Sequence, residues 1–349
     1  MIFNLNKNIF GLDISDRALR LVQLKKQGKK NILVSYNDLE IPEKIIVGGE
    51  IKEEEELAKL ISQLIKTVRG KKINSKEVIT VLPESKTFIK VIQVKSTGKE
   101  NLPNLIKEEI KNHIPLSADE IYLDWQILGQ PNEMTNLLIG AAPRAIVDSY
   151  YSAIEKAGLI PYVFEIEADA IMRSLTTKDD SATKMIIDLG AVRTGLIIYD
   201  HKTVQFTASL SISGIKITET IANTLNLNPK EAEKAKIICG LNPQKCEGAL
   251  LKILLKPIDD LIAQIEKTIT IYQSNFPESN PISKIILCGG GANLSNIDKI
   301  LSEKLKLPVE IGNPLINISE TKKIFIPTKN ILSYSTAIGL ALRAFQKKI

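Results

Sequence analysis

At 349 residues the chain has room for two or more compact units, and with 44% hydrophobic and 25% charged residues it reads as an ordinary globular protein. The formal net charge of +6 is mild for this length and does not compel nucleic-acid binding, and no apolar run reaches the length of a membrane span. Three cysteines, Cys239, Cys246 and Cys288, form an odd set without CxxC spacing, which fits a reducing compartment and argues against a disulfide frame. The only histidines are His113 and His201, so no zinc-site spacing arises. The first ten residues carry no apolar signal core, and a cytoplasmic setting is expected.

In chain order, Ile9 to Ile14, a polar turn through Ser15 to Arg17, and Leu19 to Lys25 read as a hairpin, with a third strand at Ile32 to Leu39. Lys25, Lys26, Lys29 and Lys30 fall between strand-like segments; a solvated hairpin turn and contact with an anionic membrane surface are the two readings. Leu57, Leu60, Ile61, Leu64 and Ile65 have helical spacing within Glu53 to Val68, and Val78 to Leu82 reads as a buried strand. A βαββα block follows: strand Phe88 to Val94, helix Leu102 to His113, strands Tyr122 to Leu128 and Leu137 to Ala142, helix Ile146 to Ala157. It precedes an extended segment at Tyr162 to Ile166 and looks like an inserted subdomain.

From Met185 the opening pattern returns. A strand ends at Asp188, a small turn spans Gly190 to Thr194, and strands run to Tyr199 and over Val204 to Leu210. The echo of strand, aspartate, turn and strand suggests a duplicated fold. Helices are expected at Ile215 to Leu225, Pro229 to Ile238 and Leu250 to Ser274. A buried strand at Ile285 to Leu287 then runs into Gly289, Gly290 and Gly291, ahead of a helix near Ile297 to Leu305 and a closing helix at Thr336 to Phe345.

Three elements can do chemistry. Asp13 and Asp188 each end the first strand of a half, where a carboxylate either caps its turn or helps hold a metal ion beside phosphates. The run Gly289 to Ala292 is either a plain tight turn or a place where backbone without Cβ atoms approaches a ribose or phosphate. On a helix, Glu233 and Lys236 share a face, as a surface ion pair or as a contact for ribose and adenine.

The order of these elements carries a resemblance. "FGLDISDRALRLVQL", "MIIDLGAVRTGLIIY", "EAEKAK", "ILCGGGANL" and "YSTAIGLALR" resemble the two phosphate motifs, ribose-contact helix, adenosine motif and closing helix of actin-like ATPases. "FIKVIQV", "IKNHIPLSADEIYLDWQIL", "LLIGAAPRAIVDSYYSAIEKAGLIP" and "VFEIEADAIMRSL" look like the PilM family of type IV pilus assembly proteins. The resemblance implies an α/β, actin-like (ribonuclease H-like, duplicated) two-lobed fold with an inserted SHS2-like α+β subdomain. The expected lobes are 1–183, with the insert at about 88–161, and 184–349, with a helical sub-insertion at about 214–282 and helix 336–345 closing onto the first lobe.

It also implies ATP with Mg²⁺ in the cleft between the lobes. Asp13 and Asp188 would organise the metal, Gly190, Ala191, Arg193 and Thr194 would line phosphates, and Glu233 with Lys236 would meet the ribose. Gly289, Gly290, Gly291 and Ala292 would border the α-phosphate and adenine. Glu167 falls where related ATPases orient attacking water, and equally where a helix favours an N-terminal carboxylate. The family role is a cytoplasmic scaffold, of a pilus or a related type II secretion system, that sits under the inner membrane and grips the N-terminal tail of the membrane protein PilN. The pilus assembly ATPase and a second copy of the chain are further candidate partners. An FtsA-like filament former and a small-molecule kinase are the alternatives. Ser15, Asp16, Arg17 and Arg20 of the first phosphate loop would also meet the nucleotide, but here the chain departs from the family: Ser15 replaces a glycine, Asp16, Arg17 and Ala18 replace small hydroxyl residues, and Arg20 replaces a lysine. ATP is therefore expected to bind and to be hydrolysed slowly or not at all.

Overall fold

Period-two alternation at the N-terminus becomes an antiparallel meander of β1 (Phe10–Ile14), β2 (Ala18–Gln27) and β3 (Lys30–Glu40). The computed structural model describes residues 8–95, 102–112, 114, 116–130, 133–276, 278–319 and 324–346; His113 lies outside them. These fall into two compact units, 1–173 with 318–325 and 336–349, and 174–317 with 326–335.

In the first unit a short hairpin of β4 (Ile46–Val47) and β5 (Glu50–Ile51) leads into α1 (Glu54–Lys66). Glu54, Glu55 and Glu56 in the first turn of α1 suit the positive end of its dipole, and Leu57, Ile61 and Leu64 are buried. β6 (Arg69–Gly70) and β7 (Glu77–Leu82) follow. The insert then builds a three-stranded antiparallel sheet, in the order β8-β10-β9, from β8 (Phe88–Lys95), β9 (Ile121–Gly129) and β10 (Met134–Pro143), with α2 (Leu102–Ile110) between β8 and β9 in sequence. Ile92, Val94, Leu137 and Ile139 of this sheet form a core with Leu102, Ile106 and Ile110 of α2.

α3 (Arg144–Lys156), expected as part of the insert, packs elsewhere. Its Tyr150, Ala153 and Ile154 share a core with Leu57 and Ile61 of α1 and Leu12 of β1. The reason is topological: β11 (Ile160–Ile166) lies parallel to β7, and neighbouring parallel strands need a crossover helix. α4 (Glu167–Leu175) follows β11 directly.

The second unit repeats the plan with β12 (Lys184–Leu189), β13 (Thr194–Asp200) and β14 (Thr203–Leu210), then α5 (Gly214–Leu225), α6 (Pro229–Cys239) and α7 (Ala249–Asn275). β15 (Lys284–Cys288), α8 (Ile297–Leu305) and β16 (Val309–Ile311) complete its sheet. The two sheets run β11-β7-β1-β2-β3-β6 and β14-β13-β12-β15-β16. Read from β3 and from β14 they share a sequence of senses, two antiparallel pairings followed by two parallel ones, so the duplication is in the backbone.

Asp200 locks the end of β13. It is 1% exposed and accepts from Thr183 Oγ1 (2.6 Å), His201 N (2.8 Å), Asn280 N (3.0 Å), Asn280 Nδ2 (2.9 Å) and Tyr272 OH (3.2 Å). Burial alone would raise its carboxyl pKa, but the donors from Asn280, Thr183 and His201 outweigh it and hold it at about 2.

The cysteine expectation needs correction. Cys239 and Cys246 are joined in a disulfide with their Cα atoms 5.8 Å apart, and Cys288 stays outside it as a buried thiol. Spacing misleads here because Gly240, at φ +55, ends α6 and turns the chain back, and Cys246 itself takes φ +49. The last helix, α9 (Ser335–Arg343), crosses α4 where a Cβ on Gly339 would fall inside Ala170 O. Arg173 and Arg343 both clamp Glu165 at this crossing, with Arg173 Nη1 at 2.8 Å and Arg343 Nε at 2.9 Å.

Candidate functional site

The first aspartate turn belongs to the first unit. Asp13, 3% exposed, stands opposite Arg20 in the β1–β2 ladder, and Arg20 Nη1 donates to Asp13 Oδ2 at 3.4 Å. Ser15 closes the turn, its N and Oγ both donating to Ala18 O at 3.0 Å. The substituted residues are held by the neighbouring loop: Gly49 N donates to Asp16 Oδ1 at 2.8 Å, and Arg17 Nη2 pairs with Glu43 at 2.8 Å. Sequence reading could place Asp16 and Arg17 beside phosphates but could not find these partners, which lie about thirty residues away in sequence.

The second turn is more completely assembled. Asp188 pairs with Gly195 of β13 and Cys288 of β15, and the Cys288 thiol donates to Asp188 Oδ1 at 3.7 Å. Gly190 N donates to Arg193 O at 3.0 Å, and a Cβ at Gly190 would lie 2.6 Å from that oxygen, so the turn requires glycine. The carbonyls of Gly190 and Ala191 accept from Gly214 N and Ile215 N, the first donors of α5, at 3.0 and 2.9 Å. Thr194 is turned inward and donates to Ile212 O at 2.8 Å. Ala191 and Val192 stand exposed at the apex, and among the described residues no protein acceptor takes either N–H. Such a turn is a ready anion cradle.

The glycine run packs against this turn. Gly289, at φ +78, would place a Cβ 2.3 Å from Asp188 Oδ1, and one on Gly291 would meet Leu189 Cβ at 2.8 Å. Gly290 is the open member, with only Ser333 Oγ within reach at 3.3 Å. Ala292 is buried. A small cavity of about 20 Å³ is lined by Gly190, Thr194, Ser213, Gly214 and Gly291 among others, bringing the turn and the glycine run together. A larger depression of about 550 Å³ on α1 shares no residue with these motifs.

α6 connects to the same place. Asn228 and Glu231 cap it reciprocally, fixing the helix that carries Glu233 and Lys236. Lys236 Nζ donates to Gly214 O at 3.0 Å and Thr218 Oγ1 at 2.8 Å and pairs with Glu233 at 2.7 Å, while Thr218 Oγ1 donates to Glu233 Oε2 at 2.6 Å. Lys236 thus ties α6 to the residue whose N–H holds the Gly190 turn. Thr218 is the member of this network that sequence reading missed; its only signal is its place one turn into the helix after Ser213.

Glu167 sits in the first unit, 9% exposed, as the first residue of α4. Two residues on, desolvation and then the nearby Glu165 raise the Asp169 carboxyl to about 6, against the pull of Arg173 and Arg343. Among the described residues no group of three His, Cys, Asp or Glu is arranged to hold a metal ion, and no helix is long and apolar enough to cross a membrane.

Two sheets of one strand order, each with an aspartate at or next to the end of its first strand, define an actin-like α/β fold. Comparison with known proteins sharpens this. The family described as type IV pilus assembly protein PilM matches residues 11–345, and the chain belongs to that family. A solved structure of a PilM-PilN type IV pilus biogenesis complex superposes with a TM-score of 0.85 at 22% identity, covering 98% of this chain and 100% of that one. MreB5 of Spiroplasma citri bound to AMPPNP gives a TM-score of 0.55 at 14% identity over 96% of this chain and 95% of its own. The cell division protein FtsA of Buchnera aphidicola is 26% identical over 191 residues, 48% of this chain and 45% of that protein. The chain spans about half the length of the curated relatives it matches.

Proposed function

We propose that the chain is an ATP-holding adaptor of a type IV pilus assembly platform, or of a related type II secretion system, working at the cytoplasmic face of the inner membrane through a PilN-like partner. The observation that carries the nucleotide reading is the apex of the Gly190–Thr194 turn, where two N–H groups project beside Asp188 with no protein acceptor among the described residues. Phosphates would take those donors, the glycine run would admit the nucleoside, and Glu233, half-exposed, would accept from a ribose hydroxyl while Lys236 positions it. Mg²⁺ commonly keeps several waters and needs one or two carboxylates, a role open to Asp188 in the second unit and, taken by itself, to Asp13 in the first. The metal would supply charge neutralisation on the phosphates. The AMPPNP-bound MreB5 of the same fold supports the nucleotide class.

The partner reading rests on family membership and the PilM-PilN complex. β9 is an edge strand with Tyr122, Trp125 and Ile127 exposed, a surface fitted to an extended peptide that adds backbone hydrogen bonds and apolar anchors. Calorimetric titration tests the nucleotide. Mg-ATP should bind the folded chain, and Asp188→Ala should weaken binding at least about tenfold, about 1.4 kcal/mol. No heat of binding from folded wild type would refute it. A PilN-like tail peptide should be captured by the chain and lost by Trp125→Ala with Ile127→Ala; equal capture would place the tail elsewhere.

A further inference from the structure

The aspartate turn occupies one end of the first unit's sheet, and the opposite end carries charge that the nucleotide reading leaves unused. β1 and β2 pair no further back than Gly11 with Val22, whereas β2 and β3 stay paired to Gln27 and Lys30. Past the buried Leu24 and Leu33, the hairpin is exposed from Lys25 through Lys30. Gly28, at φ +60, closes it as the first central residue of a two-residue turn. Lys25, Lys26, Lys29 and Lys30 at this tip are all exposed, and none is in an ion pair among the described residues.

Register brings more cations to the same end. β6 runs antiparallel to β3 with Ser35 opposite Gly70, and Lys71 N donates to Val34 O, so Lys71 and Lys72 head toward the hairpin tip. Lys76 precedes β7, which runs parallel to β1, so it too lies at this end. Segments 22–36 and 69–76 together hold seven lysines, Arg69 and no Asp or Glu. Within these two segments the one aromatic residue, Tyr36, is 7% exposed, so the lysines have no aromatic face of their own on which bases could stack. An exposed cluster of lysines of this kind matches a broad anionic surface.

We propose that this hairpin, backed by Lys71 and Lys72, docks on the anionic headgroups of a lipid bilayer. This is a second contact, separate from any partner tail. Each lysine near such a surface strengthens partitioning about fivefold, so the four at the tip supply several hundredfold by order of magnitude.

The test uses the full chain without any partner peptide, sedimented with vesicles of phosphatidylcholine alone or mixed with phosphatidylglycerol. Wild type should sediment with the anionic vesicles only, and be released by salt as the screening length falls from about 10 Å at 0.1 M to about 3 Å at 1 M. Replacing Lys25, Lys26, Lys29 and Lys30 by Gln should reduce partitioning by several hundredfold while Mg-ATP binding is unchanged. Replacing the exposed Lys202, Lys252, Lys256 and Lys299 by Gln removes equal charge from the second unit and should leave sedimentation close to wild type. Wild type that ignores anionic vesicles, or equal loss in both variants, would overturn the proposal. Tighter binding to mixed-sequence duplex DNA than to the vesicles would overturn it in favour of nucleic acid.

Discussion

Gly289→Ala should damage both the second unit and its nucleotide affinity, while Gly290→Ala, one residue on, should be mild. The added Cβ at 289 would meet Asp188 Oδ1 at 2.3 Å and Leu189 O at 2.7 Å, on backbone held at φ +78. Left-handed backbone costs a non-glycine residue about 1–2 kcal/mol, and overpacking adds about 1–3 kcal/mol, so the expected loss of stability is about 2–5 kcal/mol. Swinging the Asp188 carboxylate away would relieve the clash at the expense of the proposed metal site. At Gly290 the nearest atom is Ser333 Oγ at 3.3 Å, the side chain can yield, and the loss should stay within about 1 kcal/mol. Urea unfolding gives the stabilities, and calorimetry with Mg-ATP gives the affinities, with Gly289→Ala expected at least about tenfold weaker. Wild-type stability in Gly289→Ala, or undiminished affinity, would refute the close packing of the glycine run on Asp188.

Three further outcomes follow from the geometry. Asp200 has a folded pKa of about 2 against an ordinary 3.8, so its contribution is present above the higher value and lost as pH falls through the lower. That is about 2 kcal/mol, and urea midpoints should drop over this window in wild type and much less in Asp200→Asn. Breaking the Cys239–Cys246 bond by Cys→Ser at both positions should cost about 2–3 kcal/mol by the loop-entropy account, a difference that should vanish in reductant. Single-turnover ATP hydrolysis should run well below the enzyme median of about 10 s⁻¹, because Arg20 is committed to Asp13 and Arg17 to Glu43; turnover near that median would contradict this.

The parts legible in the sequence were those governed by local period and by glycine. The apolar strands Phe10–Ile14 and Lys184–Leu189, each with its aspartate and following turn, announce a repeated meander, and the observed strand order bears out the actin-like fold. Two-residue strands such as β4, β5 and β6 leave no periodic signal, and β16 is three residues long. α3 reads as amphipathic, but which core its Tyr150 enters is decided by pairing of β7 with β11, a long-range fact. Likewise the glycines at 289–291 mark close backbone approach, while the atom approached, Asp188 Oδ1, lies a hundred residues earlier. The disulfide was missed because spacing rules count residues and say nothing of left-handed turns.

The route of the chain between β7 and β11 has a consequence for how such proteins diversify. Two parallel neighbours already require a long excursion, and here α3 alone satisfies that need by packing on α1. The segment from β8 to β10, with a core of its own, hangs from an obligatory detour and bears none of the main sheet's register. Its roots are fastened independently, by Lys86 to Glu50 before it and by Lys156 to Glu54 and Glu55 after it. A module attached this way can be exchanged, enlarged or reshaped while the aspartate hairpin beside β7 keeps its geometry, so the insert and the main sheet are free to evolve at separate rates.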